Sequence, residues 1–125
     1  MGVQIVKRIV FHPYFREKIL SGSKTTLFRV WKKRVLSEGD EFTATVGQFN
    51  VLGDFAICKV VGITKVSGID AVRKHWKTEG YETAQIAYQN LIGNRKQTEE
   101  DMGFLVEFVL LQKIEAVEPQ IKLMG

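Results

Sequence analysis

Lys24 and Arg29 are the residues whose types and spacing bear most directly on chemistry. Within and beside the stretch LSGSKTTLFRVWKKR (20–34) stand seven of the chain's eighteen Lys and Arg residues: Arg16, Lys18, Lys24, Arg29, Lys32, Lys33 and Arg34. The same stretch has the β propensity of a buried strand. Lysine supplies a mobile point charge and arginine a planar fork suited to phosphate or a base edge, so the pair together would clamp an anion. Gly22, just before them, lets the chain turn closely. The plainer alternative is a solvated loop lysine at 24 and an Arg29 paired with an acid such as Glu107. Strict alternation from position 24 sends Lys24 and Arg29 to opposite faces, so convergence requires Lys24 in the turn or a bulge in the strand. Trp31, set among Arg29, Lys32, Lys33 and Arg34, has the interleaving of aromatic and basic residues expected where bases stack above a phosphate-tracking surface. Its alternative role is to cover one end of the core.

Other reactive groups are sparse. Cys58 is the only cysteine, so no intramolecular disulfide forms and a buried apolar role is expected beside Ile57, Val60 and Val61. His12 and His75 lack metal-ligand spacing, and neither a metal site nor a cofactor is expected. Glu79, in KHWKTEGY, either accepts a hydrogen bond from a base amine or solvates a turn, the second being favoured. The RKQTEEDMG segment after Asn94 reads as a polar loop whose charges cancel.

Charge is distributed unevenly. Residues 1–36 hold nine Lys or Arg against the single acid Glu17, whereas residues 37–125 hold nine against thirteen acids, within a net charge of +4. One end of the chain is a cation, which points to a polyanionic partner such as nucleic acid. A hydrophobic content of 45% with 26% charged residues indicates a globular protein. No apolar run nears the ~20 residues of a membrane span, and the N-terminus lacks a signal peptide's apolar segment, so a soluble cytoplasmic protein with no membrane partner is expected.

The elements that must position these residues follow from periodicity. Val3–Phe11 reads as a strand, Pro13 opens a helix with Phe15 and Ile19 inward, and Gly22 ends it. Residues 24–31 form a second strand. Phe42, Ala44 and Val46 alternate with polar partners, which predicts a strand with one wet face, and Gly53-Asp54 suggests the hairpin turn after it. Residues 54–66 form a longer central strand. Ile69, Val72 and Trp76 mark a helix, Ala84, Ala87, Tyr88 and Leu91 a second, and Gly103–Gln112 a closing strand. The order β-α-β-β-β-α-α-β over one domain, residues 1–125, fits an α+β fold: a small curved or closed β-barrel with helices packed at its side.

Over about residues 3–112 the sequence resembles the ASCH domain, a PUA-like β-barrel family. The likeness lies in the helix ending ILSGSKTTLFR, then GDEF, then Trp76 and Glu79-Gly80 before an amphipathic helix, then FLVEF. The resemblance implies a basic cleft beside the barrel for RNA or a small nucleotide-like ligand, with Gly22, Lys24 and Arg29 at matching positions. Leu27 departs from an acid common in the family two residues before the arginine, which leaves the cleft more positive. A branch of the family resembles amidohydrolases acting on acetylated cytidine through a lysine, a threonine and a glutamate. Lys24 matches the lysine, but Leu27 and Gln85 occupy the other two positions, and Thr26 and Glu82 would have to substitute. Other members are thought to cleave RNA, for which Lys24, Arg29 and Tyr81 are candidates. The favoured expectation is an RNA- or nucleotide-binding module that uses Gly22, Lys24, Arg29, Trp31, Lys32, Lys33 and Arg34.

Overall fold

A computed structural model describes residues 7–48 and 51–114. Five strands form one sheet: β1 (Lys7–Phe11), β2 (Thr26–Arg29), β3 (Glu41–Gln48), β4 (Val51–Ser67) and β5 (Met102–Lys113). Their order across the sheet is β1-β3-β4-β5-β2, with β1 parallel to β3 and every other neighbouring pair antiparallel. The fold is α+β. The sheet curls into a half-barrel and leaves β1 and β2 as its two edges. The expected first strand is seen from Lys7; its earlier part, with Val3 and Ile5, lies outside the described residues.

A 3-10 turn, Pro13–Phe15, leads into α1 (Arg16–Ser21), and Gly22 ends it with a left-handed φ of 86°. Across the sheet's other end lie α2 (Gly68–His75) and α3 (Ala84–Tyr88), the latter continuing as the π-helical turn Gln89–Gly93. Ser67 and Thr83 cap α2 and α3 through their side-chain oxygens. One apolar cluster fills the sheet's hollow with Ile9, Phe11, Phe42, Phe55 and Phe108. A second joins the helices to the sheet through Phe28, Val72, Leu91 and Leu105, with Trp76 partly buried against it, and Phe15 packs against both.

Two local expectations fail. The wet face of β3 is absent, since Thr43 and Thr45 are buried along with Phe42 and Ala44. Alternation along β3 marks its apolar face, but burial of the other face is set by what packs over it, which the strand's own residues do not record. Gly53 and Asp54 are not the hairpin turn but ladder residues opposite Val46 and Thr45, in a pairing that runs on to Gln48 opposite Val51. A bulge next to them sets Phe55 out of register and into the core.

The edges of the half-barrel shape the site. On β2, the Thr78 carbonyl accepts the N–H groups of Thr25 and Thr26, at 2.8 and 3.1 Å, and the Glu79 carboxylate accepts that of Phe28 at 3.2 Å. The loop after α2 therefore seals the β2 edge. On β1, the Val10 carbonyl accepts a hydrogen bond at 3.1 Å from the Arg29 guanidinium, a side-chain stitch across the seam between the edges. Gly103 permits β5 to approach β2 so closely, because a Cβ there would meet the Phe28 ring at 2.6 Å and the Arg29 carbonyl at 2.9 Å.

Candidate functional site

Along that seam opens a hollow of about 200 Å³ lined by residues of β1, β2 and the surrounding loops, among them Phe11, His12, Lys24, Arg29, Glu79, Tyr81 and Arg95. Whole small-molecule sites occupy ~300–1,000 Å³, so this volume suits one part of a ligand. A larger groove of about 650 Å³ adjoins it and shares the walls His12, Phe15, Tyr81 and Arg95.

Lys24 reaches the hollow from the turn. Its N–H donates to the Lys18 carbonyl at 2.9 Å just past left-handed Gly22, and its side chain turns inward until only 3% is exposed. The ammonium donates to the carbonyls of Thr26 at 2.7 Å and Glu79 at 2.8 Å and lies 4.6 Å from the Phe15 ring centre. A Glu79 carboxylate oxygen is 3.7 Å away, an ionic contact rather than a hydrogen bond. Burial, helped by the nearby charges of Arg29 and Arg95, lowers the Lys24 pKa to about 8 against the upward pull of Glu79.

The sign of that shift gives a prediction. The unfolded lysine titrates near 10.5, so between about 8 and 10.5 the folded state binds fewer protons and stability rises with pH. Tyr81 and Cys58, each raised to about 12 by burial, act in the opposite direction above their ordinary values. The Lys24 effect is therefore isolated as the stability difference between wild type and Lys24→Met in urea titrations. That difference is expected to move in favour of wild type by up to about 3 kcal/mol across the window; no movement contradicts the shift.

Glu79 is 2% exposed, and its carboxylate is held at both oxygens, by the Thr26 hydroxyl at 2.6 Å and the Phe28 N–H at 3.2 Å. The solvated-turn reading of Glu79 is overturned. Arg29 is engaged quite differently. Its guanidinium lies over the Phe11 ring with Cζ 5.7 Å from the ring centre, and the bond to Val10 is its one side-chain hydrogen bond among the described residues. An arginine has five N–H donors. Burial first, then the charge of Arg95, press its pKa down, yet guanidinium stays charged. Burial pushes the Tyr81 phenol up to about 12, so this wall residue keeps its proton.

No family model and no curated protein matches this sequence. Solved structures do. The ASCH protein of Zymomonas mobilis superposes with a TM-score of 0.66 at 17% identity, covering 88% of this chain and 71% of that one. The ASCH domain of Lactobacillus crispatus JV V101 gives 0.56 at 15% identity, over 83% of this chain and 79% of that one. This chain has the ASCH fold. Protein EF3133 of Enterococcus faecalis V583 is also similar, with a TM-score of 0.67 at 12% identity over 90% of this chain and 80% of that one.

Within the ASCH fold, the sequence-derived candidates separate. Lys24 and Arg29 line one hollow, whereas Gly22 is exposed outside it and serves the turn. Thr26 is turned away: its hydroxyl meets Thr78 at 3.1 Å and Glu79, and it borders a different concavity with His75 and Glu107. Glu82 is exposed and paired with Lys18 at 3.0 Å, so the carboxylate beside Lys24 is Glu79 instead. Glu107 does not pair with Arg29; it faces Gly62. Trp31 is half-buried with its ring 6.0 Å from that of Phe104, and it also walls a shallow depression with Arg29 and Arg95. Lys32, Lys33 and Arg34 are exposed in the following loop and do not line the hollow.

Arg95 is the residue that sequence reading passed over. Its loop has balanced charge and no motif, and only the fold brings it to the wall that Arg29 also lines, near enough for its charge to act on Arg29. Among the described residues no three His, Cys, Asp or Glu side chains gather as a metal site, and no helix is long and apolar enough to cross a membrane.

Proposed function

We propose that this ASCH-fold protein binds single-stranded RNA or a nucleotide, holding one nucleotide unit at the seam. The supporting observation is the state of Arg29: a half-buried guanidinium over the Phe11 ring with one donor committed to Val10, opening on a hollow that it shares with Arg95. Two arginine forks present planar donors for a phosphate, and the Lys24 charge behind them adds field while two of its three N–H donors stay on backbone carbonyls. Glu79 is the one carboxylate among the described wall residues and keeps its oxygens on Thr26 and Phe28, so the polar groups left for a base are those of Tyr81 and His12. Lys32, Lys33 and Arg34 act outside the hollow, on neighbouring phosphates.

Single-stranded RNA is expected to bind with a slope of log affinity against log salt of roughly −2, corresponding to about three neutralised phosphates. Fluorescence anisotropy at several salt concentrations measures it. Absence of binding at low salt would remove the proposal.

Hydrolysis of an acetylated cytidine is the second reading, and one observation favours it: a buried lysine of lowered pKa beside a glutamate. The orientation of Thr26 away from the hollow weighs against it, because no hydroxyl nucleophile then stands beside Lys24. Acetate release from the nucleoside that disappears in Lys24→Ala would reverse this preference.

A further inference from the structure

Three concavities on this surface share one wall residue, Arg95. The hollow is in the middle. On one side of it lies the groove, where Tyr14 and Ile86 are each 42% exposed and offer apolar area. On the other lies the depression of about 220 Å³ against Trp31, which has Arg29 and Arg95 in common with the hollow. Lys32, Lys33 and Arg34 follow Trp31 directly in the chain.

This alternation matches the chemistry of a single strand. Bases need flat or apolar surfaces and the phosphates between them need cations. The partition between hollow and groove also carries a fixed donor: the His12 Nδ1 accepts the Tyr14 N–H at 3.1 Å, so the neutral ring bears its proton on Nε2. Beyond it, Asn90 gives its amide N–H to the Ile86 carbonyl at 2.9 Å, leaving its oxygen as an acceptor on the groove wall.

We propose that the three concavities form one track for three successive nucleotides of single-stranded RNA, one base against Trp31, the next in the hollow and the third over Tyr14 and Ile86, with Arg29 and Arg95 between them. This rests on the nucleotide reading of the hollow and extends it from one unit to a register of three. A mononucleotide fills one compartment and leaves the flanking surfaces unused.

The test is the length dependence of affinity, using uridine 5′-monophosphate and oligouridylates of increasing length at one low salt concentration. Affinity is expected to rise about tenfold for each nucleotide up to the third, as stacking on a side chain provides, and only slightly after that. In Ile86→Ser, which removes apolar area without adding charge, one of these steps is lost while mononucleotide affinity, set by the hollow, is unchanged. In Trp76→Phe, where Trp31 is the sole indole, emission changes with the trinucleotide and not with the mononucleotide. Circular dichroism confirms that both variants fold. Equal affinity at every length overturns the track and leaves the single-nucleotide reading intact. A rise with length that neither Ile86→Ser nor Trp31 emission registers also overturns it, since bulk charge would then suffice. Failure of every length to bind overturns both readings.

Discussion

Glu79→Ala is expected to destabilise the fold by about 3–5 kcal/mol, the range for stranding one member of a buried ion pair. The carboxylate does three things at once. It receives the Thr26 hydroxyl at 2.6 Å and the Phe28 N–H at 3.2 Å, and it is the countercharge 3.7 Å from the Lys24 ammonium. Removing it opens the sealed edge of β2 and leaves a cation buried with backbone carbonyls alone. The double variant Lys24→Met, Glu79→Ala should lose less than the two single losses added together, because no unpaired charge remains. Urea denaturation of the four proteins measures this coupling. A loss below about 1 kcal/mol for Glu79→Ala, the worth of an ordinary exposed pair, would refute the anchoring role.

Arg29→Lys is expected to weaken RNA binding about ten- to hundredfold. The substitution keeps the charge but replaces a planar fork with a point cation, and hydrogen bonds to charged groups contribute ~1.5–3 kcal/mol each. The salt slope should persist in Arg29→Lys, whereas in Arg29→Met it should fall by about 0.7, the single-strand value for one phosphate. The two variants thus separate geometry from charge. Because Arg29 also ties β2 to the Val10 carbonyl of β1, their melting curves must be compared with wild type. Wild-type affinity in Arg29→Lys would mean that the fork does not touch the ligand.

The candidate site was legible in part. Gly22 announced a turn, and the conflict between the parity of positions 24 and 29 announced that Lys24 could share a face with Arg29 only from that turn. The structure places it there, with the Lys24 N–H on the Lys18 carbonyl. The partners were not legible. A glutamate followed by glycine looks solvated from its neighbours alone, and Glu79 is buried because it replaces a missing strand at the edge of β2. Thr26 and Glu82 looked able to stand in beside Lys24, but side-chain direction sends one to Thr78 and the other to Lys18.

By itself the sequence determined the elements, their order, and the crowding of cations into the first third of the chain, because hydrophobic period, glycine stops and composition are local properties. Tertiary structure alone decided that the sheet stops short of closing, that Thr43 and Thr45 lie inside it, and that Arg95 comes to stand beside Arg29. Those outcomes depend on which strand neighbours which and how far apart the two edges remain. Such pairings join residues tens of positions apart, where no periodicity along the chain records them.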